Sequence, residues 1–242
     1  MKRLMQVIMV FILATTLVSC GDNKDLLKSM FDIEARAAKN APPSTIEELK
    51  AGIARYGDDV KKTTLAMEKI ALYWRLLAVR YMEKGLFGDA YDAAVVALRH
   101  DPESASLYYV AGISAAFLSK ATVAEKGGGA ESRMSWLRTA EGSYQRSLQL
   151  APQYSKALYG LAVLYTFEME NHEAAIIPLE ALLEMEPSNV DALFVYARAL
   201  YGAGRLQDAA DVYDTLIQTT TIQEKKDQAA ANKKQILDEL YD

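Results

Sequence analysis

The chain has 242 residues, a mass of 26.8 kDa, a net charge of −5 and a pI near 5.3. Its 37 Ala and 29 Leu, against 13 Gly and 6 Pro, favour helices over β-structure. With 1 Cys and 2 His, an internal disulfide is excluded and a metal site built on His and Cys is nearly so. The acidic balance argues against nucleic-acid binding, which needs a basic face. We expect no cofactor.

Residues 1–19 have the pattern of a secretory signal. Lys2 and Arg3 precede an apolar stretch of about 14 residues, which is too short for a membrane span of about 20. The stretch ends in Leu17-Val18-Ser19-Cys20, which resembles the bacterial lipobox. This resemblance implies cleavage before Cys20, lipidation of its thiol and tethering of the protein to a membrane by acyl chains. An ordinary signal peptide followed by an incidental Cys is the alternative.

Residues 20–70 are predicted to contain the anchor segment and N-terminal helices. Ser44 and Glu47 form a capping-box pattern that predicts the start of one helix. Asp58 or Asp59 is predicted to cap the next helix. The pattern allows that helix to continue unbroken into the first repeat.

Helix-pair repeats are predicted over residues 71–217. Pro102, Pro152 and Pro187 each follow a helical segment and are spaced by 50 and 35 residues. The second spacing is close to the period of about 34 residues in a tetratricopeptide repeat. The predicted units are residues 71–104, 105–154, 155–189 and 190–217.

The first unit carries the residues of the family pattern most fully. They are Trp74, Leu77, Ala78 and Tyr81 on its first helix, Gly85 in the turn, and Ala90 and Ala97 on its second helix. Small residues are needed where two helices cross closely, so small and large side chains alternate along the seam. The four units resemble tetratricopeptide-repeat (TPR) proteins. The resemblance implies an all-α solenoid, a right-handed superhelix of helix pairs with extra N-terminal helices and a C-terminal capping helix over residues 218–242.

The second unit has about 16 extra residues between Phe117 and Trp136, interrupted by Gly127-Gly128-Gly129. One interpretation is a protruding hairpin made by lengthening both helices by about two turns each. A loop without regular structure is the alternative.

The sequence shows no combination of a nucleophile, a base and an orienting group, so we expect that the protein is not an enzyme. His100 and His172 are both expected to be exposed residues near helix ends. In TPR proteins, one face of each first helix lines a concave groove. Mapped onto this chain, those positions are Arg75, Val79, Tyr109, Ile113, Phe117, Tyr159, Val163, Phe167, Phe194, Arg198 and Tyr201. An apolar, aromatic face of this size is typical of a binding site, although packing of some aromatic residues against the N-terminal helices is the alternative.

The layout resembles TPR lipoproteins of bacteria with two membranes, and the C-terminal composition resembles spirochaetal proteins. The resemblance implies an adaptor or scaffold for cell-envelope assembly or transport, which binds protein partners and no nucleic acid. It would be lipid-anchored to the inner or outer membrane, with its body in the periplasm or at the cell surface. The alternative is a periplasmic accessory of a solute transport system that binds a small hydrophobic ligand.

Overall fold

The computed structural model describes residues 45–124 and 129–241, and these ranges contain helices and no strand. The predicted signal peptide, Cys20 and residues 125–128 lie outside the described residues. The helices are α1 (Ile46–Glu83), α2 (Phe87–His100), α3 (Ala105–Ala124), α4 (Ala130–Leu150), α5 (Ser155–Val163), α6 (His172–Met185), α7 (Val190–Gly202), α8 (Leu206–Thr219) and α9 (Gln223–Tyr241).

The chain divides into two units, residues 1–64 and 65–242. Of the first unit, the structure describes residues 45–64, which form the first part of α1 and are largely exposed. The second unit contains the rest of α1 and all the remaining helices. None of the described helices is both long and apolar enough to cross a membrane.

The start of α1 is a capping box one residue later than predicted. The backbone N–H of Thr45 donates to Oε2 of Glu48, and the backbone N–H of Glu48 donates to Oγ1 of Thr45, both at 3.1 Å. Each side chain therefore satisfies a backbone donor that the first helical turn leaves free. The sequence offers the same pattern at Ser44 and Glu47, so the pattern locates the helix start only to within a residue.

The interruption predicted at Asp58 or Asp59 is wrong. Helix α1 continues through both residues and is 38 residues long. Asp59 acts within the helix, where it forms an ion pair with Lys62 at 3.5 Å and its carbonyl accepts from the Thr63 hydroxyl at 2.9 Å. An aspartate that pairs one turn ahead is as compatible with a helix interior as with a helix start.

The core of the repeats is built from alanine facing larger side chains. Near the first repeat, Ala78 packs in a buried cluster with Ala93, Ala94 and Leu107. A larger cluster extends from α3 to α9, and its alanines alternate with buried leucine, isoleucine and tyrosine. Because alanine lets helix axes approach closely, this alternation lets the paired helices pack tightly against each other.

The turns inside the first and fourth repeats use glycine in the left-handed region. Gly85 has φ +71° and Gly204 has φ +75°, a conformation that costs glycine little and other residues more. The Leu86 N–H then donates to the Tyr81 carbonyl, and the Arg205 N–H donates to the Leu200 carbonyl, both at 2.9 Å. These bonds close the ends of α1 and α7.

The third repeat ends its first helix differently. Helix α5 passes into a π-helical turn, Leu164–Glu168, which accommodates the one extra residue of this repeat. Glu170 then takes the left-handed conformation with φ +52°, where the first and fourth repeats have Gly85 and Gly204. The π turn rotates the side chain of Glu168 relative to a regular helix, and this residue recurs in the candidate site.

Helices α3 and α4 are 20 and 21 residues long, whereas α2, α6 and α8 each have 14 residues. The extra residues of the second repeat thus lie largely in these two helices. Helix α9 packs on α8 through Ala229 and Ile236, which are both buried.

Candidate functional site

An open apolar cavity of about 230 Å³ lies between the second and third repeats. Its walls come from α3, α4, α5 and the π turn, with apolar side chains inside and charged groups at the rim. The lining residues are Tyr109, Ile113, Ala116, Phe117, Lys120, Tyr144, Lys156, Tyr159, Gly160, Val163, Leu164 and Glu168.

One wall is a stripe on α3. Tyr109, Ile113 and Phe117 are four residues apart, so they follow one another along the same helix face. Phe117 stacks on Phe87, with ring centroids 3.9 Å apart and an interplanar angle of 2°, and yet it is 42% exposed. The stacking orders an aromatic ring that still presents much of its surface to solvent, as a binding residue requires.

The opposite wall comes from α5, where Tyr159 and Val163 occupy equivalent positions four residues apart. The buried ring of Tyr144, on α4, forms the floor between the two walls. This ring lies against Gly160 of α5 so closely that a Cβ at residue 160 would be 2.7 Å from Cε1 of Tyr144. A glycine is therefore required there for the floor to reach its position.

The three tyrosines in the cavity are uncharged. Burial raises the pKa of Tyr144 strongly, and the neighbouring Tyr109 raises it further. Burial also raises the pKa of Tyr109 and that of Tyr159 above the ordinary tyrosine value. Their hydroxyl groups remain protonated near pH 7, so the walls are apolar surfaces that carry neutral hydrogen-bonding groups.

A charge cluster stands at one end of the cavity. Lys120 Nζ lies 2.8 Å from Oε1 of Glu168, and Arg133 Nη2 donates to Oε2 of the same carboxylate at 3.1 Å. Arg133 Nη2 also donates to the Glu168 carbonyl at 3.2 Å. The π turn, α3 and α4 are thereby joined beside the cavity.

Lys156 lies on the opposite rim. Its side chain is exposed, and it makes no ion pair with any residue that the structure describes. It lines a second depression as well, together with Tyr109, Tyr159, Glu186, Asn189 and Asp191. A cation of this kind beside an apolar cavity can attract a carboxylate on a bound molecule.

The predicted groove residues of the first repeat lie elsewhere. Arg75 forms an ion pair with Asp101, and its Nε is buried without a hydrogen-bond partner. Val79 is half-buried against the cluster around Ala78. These two side chains hold the first repeat together and do not line the cavity.

The predicted residues of the fourth repeat form a separate group with α9. Phe194 packs edge-to-face on Tyr213, with centroids 6.2 Å apart. The Tyr201 hydroxyl donates to Oε2 of Glu239 at 2.8 Å, and Arg198 lies 5.4 Å from the centroid of the Tyr201 ring. Helix α9 therefore contacts the surface that the fourth repeat was predicted to contribute to the groove.

Phe167 is also outside the cavity. It lies in the π turn and is 50% exposed. Five of the predicted residues thus share one cavity, namely Tyr109, Ile113, Phe117, Tyr159 and Val163.

The prediction for His172 is wrong, whereas His100 is exposed. His172 is half-buried at the start of α6, and its Nδ1 is buried without a partner. Its ring lies against Gly202, where a Cβ would be 2.4 Å from Cδ2 of the imidazole. Among the described residues, no group of three or more His, Cys, Asp or Glu could hold a metal ion.

Two residues of the cavity, Lys120 and Tyr144, were not predicted, although the sequence pattern contains a signal for each. Lys120 lies three residues after Phe117 on the same face of the long helix, so extending the stripe along α3 would have included it. Tyr144 occupies a large position of the repeat pattern. The position of Glu168 depends on the π turn, for which the sequence offers no local signal other than one surplus residue.

Residues 166–224, from the π turn to the start of α9, match the family model of the tetratricopeptide repeat. A TPR repeat-containing protein of Borreliella burgdorferi is 21% identical over 226 residues, which cover 92% of this chain and 96% of that protein.

Solved structures of MamA have a similar fold. MamA from Desulfovibrio magneticus RS-1 is 16% identical, with a TM-score of 0.52 over 70% of this chain and 94% of its own. A further crystal structure of MamA is 21% identical, with a TM-score of 0.52 over 78% of this chain and 99% of its own. The fold is a TPR α-solenoid. The fold class predicted from the repeat pattern is confirmed.

Proposed function

We propose that this protein is a membrane-anchored adaptor that holds an apolar segment of a partner protein against its second and third repeats. The open cavity lined by Tyr109, Phe117 and Tyr159 carries the proposal. Aromatic side chains in a partly enclosed site are the residues that most often dominate binding between proteins. The TPR fold, which is found in protein-interaction scaffolds, supports this reading.

The cavity size favours a peptide side chain over a whole small molecule. Small-molecule sites are typically about 300–1,000 Å³, whereas this cavity is about 230 Å³. One or two apolar side chains of a partner would fill it while the rest of the segment lies along α3 and α5. Lys156 on the rim favours a segment that carries a carboxylate near those apolar residues.

Two aromatic truncations test the binding surface. Phe117→Ala combined with Tyr159→Ala should abolish capture of a partner from detergent-solubilised membranes. Each truncated anchor costs about 2 kcal/mol or more, which corresponds to about a 30-fold loss of affinity. The measurement is quantitative mass spectrometry of proteins retained by the wild type and by the variant, with circular dichroism to verify an unchanged helix content.

The matched control is Phe167→Ala combined with Tyr241→Ala, because both residues are exposed aromatics outside the cavity. This control should retain the same proteins as the wild type. An equal loss in both double variants would contradict the cavity as the binding site. A copurifying hydrophobic small molecule, detected by native mass spectrometry, lost from the cavity double variant and kept by the control, would instead support a ligand-binding accessory of a transport system.

The membrane anchor is proposed at Cys20, in the cell envelope of a bacterium with two membranes. Cys20→Ala should move the protein to the soluble fraction or leave an uncleaved precursor, while the repeats stay folded because residue 20 lies outside them. Metabolic labelling with a radioactive fatty acid checks this directly. Absence of label on the wild-type chain would rule out lipidation and leave an ordinary secretory signal.

A further inference from the structure

Helix α1 carries a long apolar stripe that is exposed and that no other residue described by the structure covers. From Ile46 to Ile70, large apolar or aromatic side chains recur at alternating intervals of three and four residues, with Thr63 as the one exception, at the a and d positions of a heptad repeat. These positions hold Ile46, Leu49, Ile53, Tyr56, Val60, Thr63, Met67 and Ile70. Ile53 is 73% exposed, Val60 64% and Met67 56%.

The rest of this segment has the composition of a coiled-coil helix. The outer positions are mostly charged: Glu47, Glu48, Arg55, Asp58, Lys61, Lys62, Glu68 and Lys69. The positions beside the stripe are mostly small: Gly52, Gly57, Thr64 and Ala66. A 3.5-residue period keeps an apolar seam facing a second helix over many turns. A helix that packs on a flat surface does not need this period.

A helix of similar length and period would cover the whole stripe. The stripe runs over residues 46–70 of the 38-residue α1, whereas the other described helices have at most 21 residues and pack within the repeats. A second copy of α1 meets the requirement because it presents the same stripe. A standard interface of about 800 Å² per partner needs about 100 Å² from each of eight a and d side chains.

The residue types at the seam favour a parallel, two-stranded arrangement. Position a holds the β-branched residues Ile46, Ile53 and Val60, which favour parallel dimers where leucine occupies position d, as Leu49 does in the first heptad. The later d positions hold Tyr56, Thr63 and Ile70. In such a dimer, position g of one copy faces position e of the next heptad in the other copy. Gly52 would face Gly57, and Asp59 would face Thr64, so no like charges meet there.

We propose that two copies of this protein associate through α1 as a parallel coiled coil in register over residues 46–70. The groove of the repeats takes no part in this association, so the proposal stands independently of the function proposed above.

Cysteine cross-linking in the full chain tests the register. In a Cys20→Ala background, which removes the single native thiol, Ile53→Cys and Val60→Cys should each give covalent dimers under mild oxidation. Equivalent a positions of a parallel dimer bring Cα atoms to about the 5.5–6 Å that a disulfide needs. Asp58→Cys, on the outer face between them, should give none. Equal cross-linking at Asp58, or none at either a position, would overturn the proposal.

Charged substitutions test the association without oxidation. Ile53→Lys combined with Val60→Lys should shift the mass from dimer to monomer in analytical ultracentrifugation at the same protein concentration. Ala51→Lys combined with Asp58→Lys adds two lysines to the outer face and should leave the dimer intact. Thermal unfolding of the repeats should be the same in both variants, which separates lost association from lost folding. A wild-type chain that sediments as a monomer, or a seam variant that remains dimeric, would overturn the proposal.

Discussion

Replacing Gly160 by Ala should destabilise the protein by about 1–3 kcal/mol, although alanine is ordinarily the better helix former by about 1 kcal/mol. The Cβ at residue 160 would lie 2.7 Å from both Cε1 and Cζ of Tyr144 and 2.9 Å from its hydroxyl oxygen. The ring cannot move away readily, because Gly112 also lies against it. A Cβ at residue 112 would lie 2.9 Å from Cδ1 and Cε1 of the same ring.

Gly112→Ala should therefore have the same sign, and Gly142→Ala is the matched control. Gly142 lies on α4, and nothing lies within 4 Å of the Cβ it would gain, so that variant should gain up to about 1 kcal/mol. Urea unfolding of the three variants gives the comparison. A second check is Gly160→Ala combined with Tyr144→Leu, which should cost less than the sum of the two single changes. A stabilising Gly160→Ala would contradict the tight packing of the Tyr144 ring.

This contact links the core to the binding site. Tyr144 and Gly160 both line the cavity, so the close approach of α4 to α5 sets the depth of its floor. Side chains larger than glycine at residue 160 would push the floor and the Tyr159 wall apart. Stability and the shape of the proposed binding surface therefore depend on the same pair of residues.

The repeat fold could be predicted because the same residue pattern recurs in each repeat. Gly85 and Gly204 mark the turns, and alanine occupies the positions where helices cross. The third repeat departs from this pattern with a π turn and a left-handed Glu170. Neither could be predicted, since one inserted residue fits a longer loop as well as a π turn. The break predicted at Asp58 or Asp59 is wrong because an aspartate can form an ion pair inside a helix, as Asp59 does with Lys62, as well as cap one.

The candidate site was predictable in part for a related reason. Equivalent positions of stacked repeats lie side by side, which brings Tyr109 and Phe117 to Tyr159. The same rule placed Phe194 and Tyr201 in the groove, but α9 contacts that repeat. The hydrogen bond from Tyr201 to Glu239 joins residues that are 38 positions apart, and such a pairing is not encoded in the pattern of either segment.

The last prediction concerns the seams between paired helices. Ala90 on α2 and Ala209 on α8 are both fully buried. Ala90→Leu and Ala209→Leu should each destabilise the protein by about 1–3 kcal/mol, because the added atoms overpack a seam that alanine fills. Helix propensity contributes little to the difference, since leucine and alanine are both strong helix formers.

Ala230→Leu provides the comparison on α9. Ala230 is exposed, whereas its neighbour Ala229 is fully buried, so the variant should stay within about 0.5 kcal/mol of the wild type. Chemical unfolding of the three variants measures the contrast. Equal changes at all three positions would mean that Ala90 and Ala209 do not lie where the helices cross, and the repeat register assigned to α2 and α8 would then be wrong. A large loss of unfolding free energy at the two buried alanines, and a small one at Ala230, would instead show that the small residues of the repeat pattern stabilise each repeat.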